Sequence, residues 1–486
     1  MPETCADHKL MKTNAAAFQL TQGPLALTSM RRFASLRNVL RLFLATILSV
    51  AVSAQAHAQR GISLVRDAEI EALVAEYARP ILEAAGLSKS GIEIILVNDN
   101  SFNAFVAGRR IFVNTGALLM SETPNEIIGV IAHEAGHIAG GHQQRLREQL
   151  SRAQTMAIIS TILGAGAMVA GAQAGSDGLA RSGTGILMGG TEAARRSLLS
   201  YQRTEEATAD RSAITYLERT GQSAKGMLKT FERLGKSMAL AGVRVDPYQI
   251  SHPTPQERIA TLETLARQSK HFERKDPPAL QLRHDLMRAK IAAYTQGHQA
   301  AMRLFRNDPR GLPALYADAI ATFISGSARA AVGKIDAVVA QNPKNPYFHE
   351  MRGEILMKAG RPAEAAEAFG RAKSLERGNS GLIQIGYGQA LLATGKPENI
   401  RKAVVELQAG LTRAKDFSAG YRYLAQAYGQ LGDIGQAELA TADGHFYSGK
   451  YDEAKKFAAR AQLKLKKGSP SWLRAQDILN YKAPKR

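Results

Sequence analysis

The chain has 486 residues, 45% of them hydrophobic and 22% charged, with no long polar low-complexity tract; this excludes a largely disordered protein and leaves room for two or three domains. A formal charge of +20 calls for an anionic neighbour. Zinc-finger spacing and an aromatic-basic ribonucleoprotein signature are both missing, so a membrane or cell-envelope surface is a better reading than nucleic acid.

At the N-terminus, Arg31, Arg32, Arg37 and Arg41 precede an apolar run from Leu42 to Val52, and Ser53-Ala54-Gln55-Ala56-His57-Ala58 follows. Basic, apolar, then A-x-A is the order of a secretory signal peptide, expected over 30–58 with cleavage after Ala56 or Ala58. Residues 1–29, before Met30, read as an extension from an upstream start codon. Cys5, the single cysteine, lies there, so the exported chain would have neither disulfides nor thiolate chemistry. A catalytic site must then come from His, Asp, Glu, Ser or Lys.

Residues 64–85 carry apolar side chains at helical spacing, and Ile92 to Val97 and Ile111 to Val113 read as short strands. A helix is expected from Thr123-Pro124-Asn125-Glu126, a capping box with proline at the first helical position. It contains His133-Glu134-Ala135-Gly136-His137. Histidines four apart share one helix face and can hold one metal ion, with Glu134 beside them as a proton acceptor. Two imidazoles and one carboxylate would suit a single Zn2+, because that set leaves a coordination position open.

Residues 156–190 are apolar and rich in glycine, which disfavours a rigid helix. A mobile lid or a membrane-touching hairpin fits this stretch better than a membrane span. Beyond it, Tyr201 to Asp210 reads as a helix with Glu206 and Asp210 on one face, and Glu205 reads as a solvated carboxylate. His142, His271 and His284 read as ordinary surface residues.

Pro277-Pro278 marks a change of texture. Glycines after apolar helices recur at Gly326, Gly360, Gly395 and Gly432, with gaps of 34, 35 and 37 residues. Gly297 belongs to a degenerate first unit, and Tyr447 to Lys450 opens a last helix pair. This period, with alanine-rich second helices such as Ala363 to Ala372, resembles tetratricopeptide repeats.

Together, HExxH at 133–137 and ExxAD at 206–210 resemble the zinc metallopeptidases of family forty-eight, the HtpX-like and CAAX-prenyl-protease-type group. The resemblance implies His133, His137 and Glu206 as zinc ligands, Glu134 as the catalytic base, and Asp210 orienting a ligand histidine. Ser251-His252-Pro253 and Arg258 are similar to a stretch of the periplasmic members that carry helical repeats. There the histidine is a reversible fourth ligand and the arginine an active-site cation; by residue type alone, His252 before proline is a loop residue. Asn103, Ala104 and Phe105 resemble the family's edge strand, which would bind an extended substrate by strand addition. Arg109-Arg110 departs from the relatives' glycine-rich turn, which leaves selectivity open.

The expected architecture is an α+β zinc metallopeptidase domain, mostly helical with a small sheet, over 59–272, and an α-helical tetratricopeptide-repeat solenoid over 278–486. The resemblance implies a periplasmic endopeptidase that degrades misassembled outer-membrane proteins and docks on the barrel-assembly machinery through its repeats. Unfolded or misassembled proteins would be its substrates, with membrane-surface contact and no nucleic acid. A non-catalytic chaperone or assembly scaffold, and a membrane-embedded quality-control protease, are the rival readings.

Overall fold

The computed structural model describes residues 63–174, 176–241 and 256–483. The expected signal segment at 30–58, the extension before it and His252 lie outside the described residues. Two residues of strand β1 (Leu64–Val65) lead into helix α1 (Ala68–Ala84). Asp67 starts that helix by accepting a hydrogen bond from the Ile70 N–H at 2.9 Å, which satisfies one of the unpaired donors of the first turn. Ile70, Leu73, Val74, Tyr77 and Ile81 follow at three- and four-residue steps and turn one buried stripe inward.

Strands β2 (Glu93–Val97), β3 (Ala104–Ala107) and β4 (Arg110–Asn114) complete a four-stranded sheet in the order β1-β2-β4-β3. β2 and β4 run parallel, with Ile95 opposite Phe112; β3 pairs antiparallel with β4, with Phe105 opposite Phe112. The β3–β4 turn uses Gly108 at φ +64°, a conformation a Cβ would oppose. β3 is therefore an edge strand.

Helix α2 (Thr115–Met120) precedes α3 (Pro124–Ala139), which is buried from Pro124 to His137. The expected capping box forms only in part. Thr123 makes no side-chain cap bond, and Glu126 accepts from the Glu122 N–H at 3.1 Å. Glu126 is buried and also pairs with Lys229 at 3.1 Å and with Arg233. Those two cations hold its carboxylate near the helix N-terminus, where the helix dipole also favours negative charge.

Helices α4 (His142–Gln173) and α5 (Asp177–Arg219) form a long antiparallel hairpin. The stretch over 156–190 is helical although its glycine content disfavours a rigid helix, in keeping with a hairpin rather than an irregular lid. A Cβ on Gly183 would lie 2.5 Å from the Gly164 carbonyl oxygen, and one on Gly190 would lie 1.9 Å from the Ser160 hydroxyl. Glycine here lets two backbones meet, and the cost of its freedom is offset by that close approach. Helices α6 (Lys225–Ala241) and α7 (Gln256–Arg267) close the N-terminal half around α3 and α5.

The C-terminal half is wholly helical among the described residues: α8 (Pro278–Gln296), α9 (His298–Leu304), α10 (Leu312–Ile324), α11 (Ala328–Gln341), α12 (Pro346–Lys358), α13 (Pro362–Leu375), α14 (Gly381–Ala393), α15 (Pro397–Arg413), α16 (Ser418–Gln430), α17 (Ile434–Tyr447), α18 (Tyr451–Gln462) and α19 (Pro470–Asn480). Successive helices pack on one another as hairpins. Gly297, Gly326, Gly360, Gly395 and Gly432 turn the chain inside the first five pairs, with φ between +69° and +96°. Among the described residues the chain is mostly helical with one small sheet, as its sequence pattern leads one to expect.

The two halves share one apolar cluster running from Ile70 to Ala440. A buried polar knot joins them as well. Lys290 on α8 lies 2.8 Å from Asp67 and 3.2 Å from Glu69, and the Tyr316 hydroxyl donates to Glu69 at 3.0 Å. His284, expected at the surface, is instead fully buried in this seam. Its Nε2–H donates to the Ser121 carbonyl at 2.8 Å, and its Nδ1 accepts from the Tyr77 hydroxyl at 3.0 Å. Burial holds the ring's pKa down at about 4, so it is neutral.

Candidate metal centre

Helix α3 supplies His133, Glu134 and His137, and α5 supplies Glu206 and Asp210; all five are buried. The two helices cross at Gly136, where a Cβ would lie 3.0 Å from the Ala209 carbonyl oxygen. Any larger side chain there would push Glu206 away from the histidines. His133 Nε2 lies 3.1 Å from His137 Nε2 and 3.3 Å from Glu206 Oε2, and His137 Nε2 lies 3.3 Å from Glu206 Oε1. Tetrahedral zinc with ligand distances of about 2.0–2.1 Å has donor-to-donor edges of about 3.3 Å. The donor set therefore fits one such ion in size and in chemistry.

Asp210 Oδ1 lies 2.9 Å from His133 Nδ1, which turns the other ring nitrogen toward His137 and Glu206. Burial opposes the charge on Asp210, but His133 and Arg258 outweigh it and hold the carboxyl below its ordinary range. Arg258 donates to both Asp210 oxygens, at 2.5 and 2.9 Å, and its Nη1 sits 3.0 Å from Glu206 Oε2. The guanidinium is thus buried against the two α5 carboxylates and lies over the Phe231 ring at 5.3 Å.

A cleft of about 150 Å3 opens onto Glu134, His137 and Glu206, lined on its other sides by Phe105, Val106 and Tyr201. Phe105 reaches it from β3 and stacks on Phe112 at 4.9 Å. Ala104 is buried, and the Asn103 carbonyl is already taken by the Asn114 N–H at 3.0 Å. The free edge of the strand is covered at one point. The Gln143 side-chain amide accepts from the Gly108 N–H at 2.8 Å and donates to the Val106 carbonyl. One side chain thereby occupies the donor and acceptor that a paired strand would use.

Residues 64–266 match Peptidase family M48. The chain carries a peptidase M48 domain. Relatives extend the likeness beyond that domain. A β-barrel assembly-enhancing protease of Escherichia coli (strain K12) is 24% identical over 416 residues, which is 84% of this chain and 81% of that protein. Metalloprotease YcaL of the same organism is 33% identical over 134 residues, 28% of this chain and 46% of its own. Among solved structures, a crystal structure of MamA aligns with 33% of this chain and 90% of its own, at 17% identity and a TM-score of 0.27.

Behind the second histidine, the M48 domain holds two residues whose importance the sequence reading missed. His142, expected at the surface, is buried, with its Nδ1 2.8 Å from His137 Nδ1 and its Nε2 2.7 Å from Glu205. Glu205, expected in solvent, is mostly covered and also bonds Arg145 at 2.7 Å. If His137 faces the metal through Nε2, its Nδ1–H donates to His142, whose own Nε2–H points to Glu205. Burial lowers the His142 pKa and favours the neutral ring this chain of bonds needs. The available signal was spacing: His142 lies five residues beyond His137, just past the Gly140-Gly141 break that folds α4 back over the site.

Proposed function

We propose that the chain is a zinc endopeptidase of the cell envelope, acting in outer-membrane protein assembly. The observation that carries this is the triangle of His133, His137 and Glu206 donor atoms, with edges of 3.1–3.3 Å and with Glu134 buried on the same helix. A zinc ion held there supplies a Lewis acid for a peptide carbonyl and a water made more acidic. Glu134 takes the proton of the attacking water and returns it to the leaving amine. Asp210 holds His133, and Arg258 holds Asp210 and Glu206 in place. Phe105 and Val106 offer the edge along which an extended segment of a misfolded protein aligns, once Gln143 releases it. His252 acts as the reversible fourth ligand.

The helix pairs form a tetratricopeptide-type solenoid that binds clients or the barrel-assembly machinery. The likeness to the β-barrel assembly-enhancing protease of Escherichia coli, over 84% of this chain, supports that assignment. A cavity of about 370 Å3 lined by Tyr421, Tyr428, Tyr447 and Arg474 supports partner binding there. The basic N-terminal segment followed by A-x-A supports export to the periplasm.

The test is zinc stoichiometry together with cleavage of casein or an unfolded outer-membrane protein. Wild type is expected to bind one zinc per chain. Glu134→Gln is expected to keep the metal and lose about 10²- to 10⁴-fold in rate. Full activity in Glu134→Gln would remove the mechanism. Zinc bound without cleavage, even after His252→Ala, would favour the scaffold reading.

A further inference from the structure

The α4–α5 hairpin is built inside out for a hairpin that lives in water. Its closest approaches are made by small residues: Gly164 on α4 meets Gly183 on α5 and Ser160 meets Gly190, with Leu187 and Met168 packed beside the glycines. Most of its large apolar side chains point away from that seam. Ile158, Ile159, Ile162, Leu163, Val169 and Met188 are between 50% and 65% exposed. A soluble helical pair gains its stability by placing such side chains between the helices. Small residues inside and large ones outside is how helices pack where the surroundings are themselves apolar.

Length points the same way. His142–Ala170 is long and apolar enough to cross a membrane, and almost none of its most apolar window is buried against the protein. The sequence between Arg152 and Asp177 has no charged residue. Eighteen residues of that helix rise about 27 Å, against about 30 Å for a bilayer's hydrocarbon core. The exposed apolar side chains Ile158, Ile159, Ile162, Leu163 and Val169 span about 140° of α4 at about 100° per residue, wider than the stripe of about 100° by which a helix packs on one protein core. Three hydroxyls along the hairpin are satisfied by its own backbone. Thr155 and Thr161 donate to carbonyls four residues back at 2.9 and 2.7 Å, and Ser182 does the same at 2.9 Å.

Apart from Asp177 and Arg181 near the tip, the hairpin's charges gather at its base. Arg147 and Arg152 on α4, and Arg195, Arg196 and Arg203 on α5, outnumber Glu148 and Glu192. Arg195 and Arg196 extend into solvent, 66% and 77% exposed, where anionic headgroups would meet them.

We propose that the α4–α5 hairpin embeds in a lipid bilayer bearing anionic headgroups, with Arg152, Arg195 and Arg196 at headgroup level. Glu206 lies ten residues beyond Arg196 on the same helix, about 15 Å further from the lipid. The metal centre then works just above a membrane surface, where proteins arriving for insertion are unfolded. This embedding does not depend on the peptidase reading.

The experiment uses the full chain with Cys5→Ser and one new cysteine carrying an environment-sensitive fluorophore. The probe stands at Ile162→Cys, and at Val405→Cys as a control; both native positions are more than 60% exposed, so neither change disturbs a packed core. Vesicles of phosphatidylethanolamine and phosphatidylglycerol are expected to blue-shift the probe at 162 and raise its emission several-fold. Quenchers on the acyl chains should reverse the rise, the probe at 405 should not respond, and pure phosphatidylcholine should act more weakly. Because the readout is local, insertion of the N-terminal segment alone leaves position 162 silent and overturns the proposal. A blue shift at 162 that needs denatured protein, or that grows with protein concentration and ignores acyl-chain quenchers, assigns the face to a client or a second copy and overturns it equally.

Discussion

Glycine and alanine line the seam between antiparallel helices both in the C-terminal helix pairs and in the α4–α5 hairpin, but the large apolar side chains go in opposite directions. In the C-terminal half, a Cβ on Gly388 would meet Leu407 at 2.6 Å and one on Gly386 would meet Phe369 at 2.6 Å, and both large side chains are buried. In the hairpin, glycine faces glycine and Ile162 and Met188 stand 65% exposed. The first arrangement makes its own core. The second makes a surface that only an apolar surrounding can cover. Small residues at a seam therefore say how close two helices come, and say nothing of which phase surrounds them.

The contrast can be broken most forcefully by placing a charge in each region. Leu407→Asp puts an unpaired carboxylate into a fully buried position and should cost more than about 4 kcal/mol, unfolding the C-terminal helices in a thermal melt followed by circular dichroism. Ile162→Asp should leave the melt in water within about 0.5 kcal/mol of wild type. Equal losses from the two would erase the distinction. Next in size is the hairpin seam itself. Gly183→Leu collides with Gly164 and Met168 and should cost about 1–3 kcal/mol, seen as faster proteolysis of the hairpin. Gly185→Leu points into open space and should protect the hairpin slightly, because leucine is the better helix former.

Between these regions lies the α3–α5 seam, where close packing serves metal ligands. His142→Ala removes the partner of His137 Nδ1 and should weaken zinc binding about 10- to 100-fold in a chelator competition, with the fold intact. Unchanged affinity would make His142 mere packing. The smallest effect belongs to the seam between the halves. His284 is neutral when folded, with a pKa near 4, and its unfolded value is about 6.5. Its contribution is present above the unfolded pKa and fades as pH falls through that window, because the unfolded chain takes up the proton first. Wild type should therefore lose about 1 kcal/mol between pH 7.5 and 5.5 relative to His284→Gln, as read from denaturant midpoints.

Much of the site could be read from spacing. Residues four apart on one helix share a face, so the pairs His133 with His137 and Glu206 with Asp210 are stated by the chain itself. Local chemistry likewise marks the helix-pair glycines, since an L-residue at φ near +75° is strained wherever it occurs. What escaped was anything set by partners far along the chain. His142 and Glu205 look like surface polar residues until α4 and α5 bring them together, and His284 until α8 packs against Tyr77 and the Ser121 carbonyl. The glycine-rich stretch looked flexible because propensity counts backbone entropy and cannot count a neighbouring helix.

By itself, then, the sequence determined the periodic elements, the turns that need glycine, and which ligand-type side chains share a face, because these depend on residues within about one or two helical turns. Tertiary structure alone decided that α3 and α5 cross at Gly136 to bring Glu206 within 3.3 Å of both histidines. It also decided that Gln143 sits on the β3 edge, and that α4 and α5 turn their small residues inward and their large ones out. Burial, and the pKa values and exposed faces that follow from it, belong to the meeting of distant segments, and no local pattern contains them.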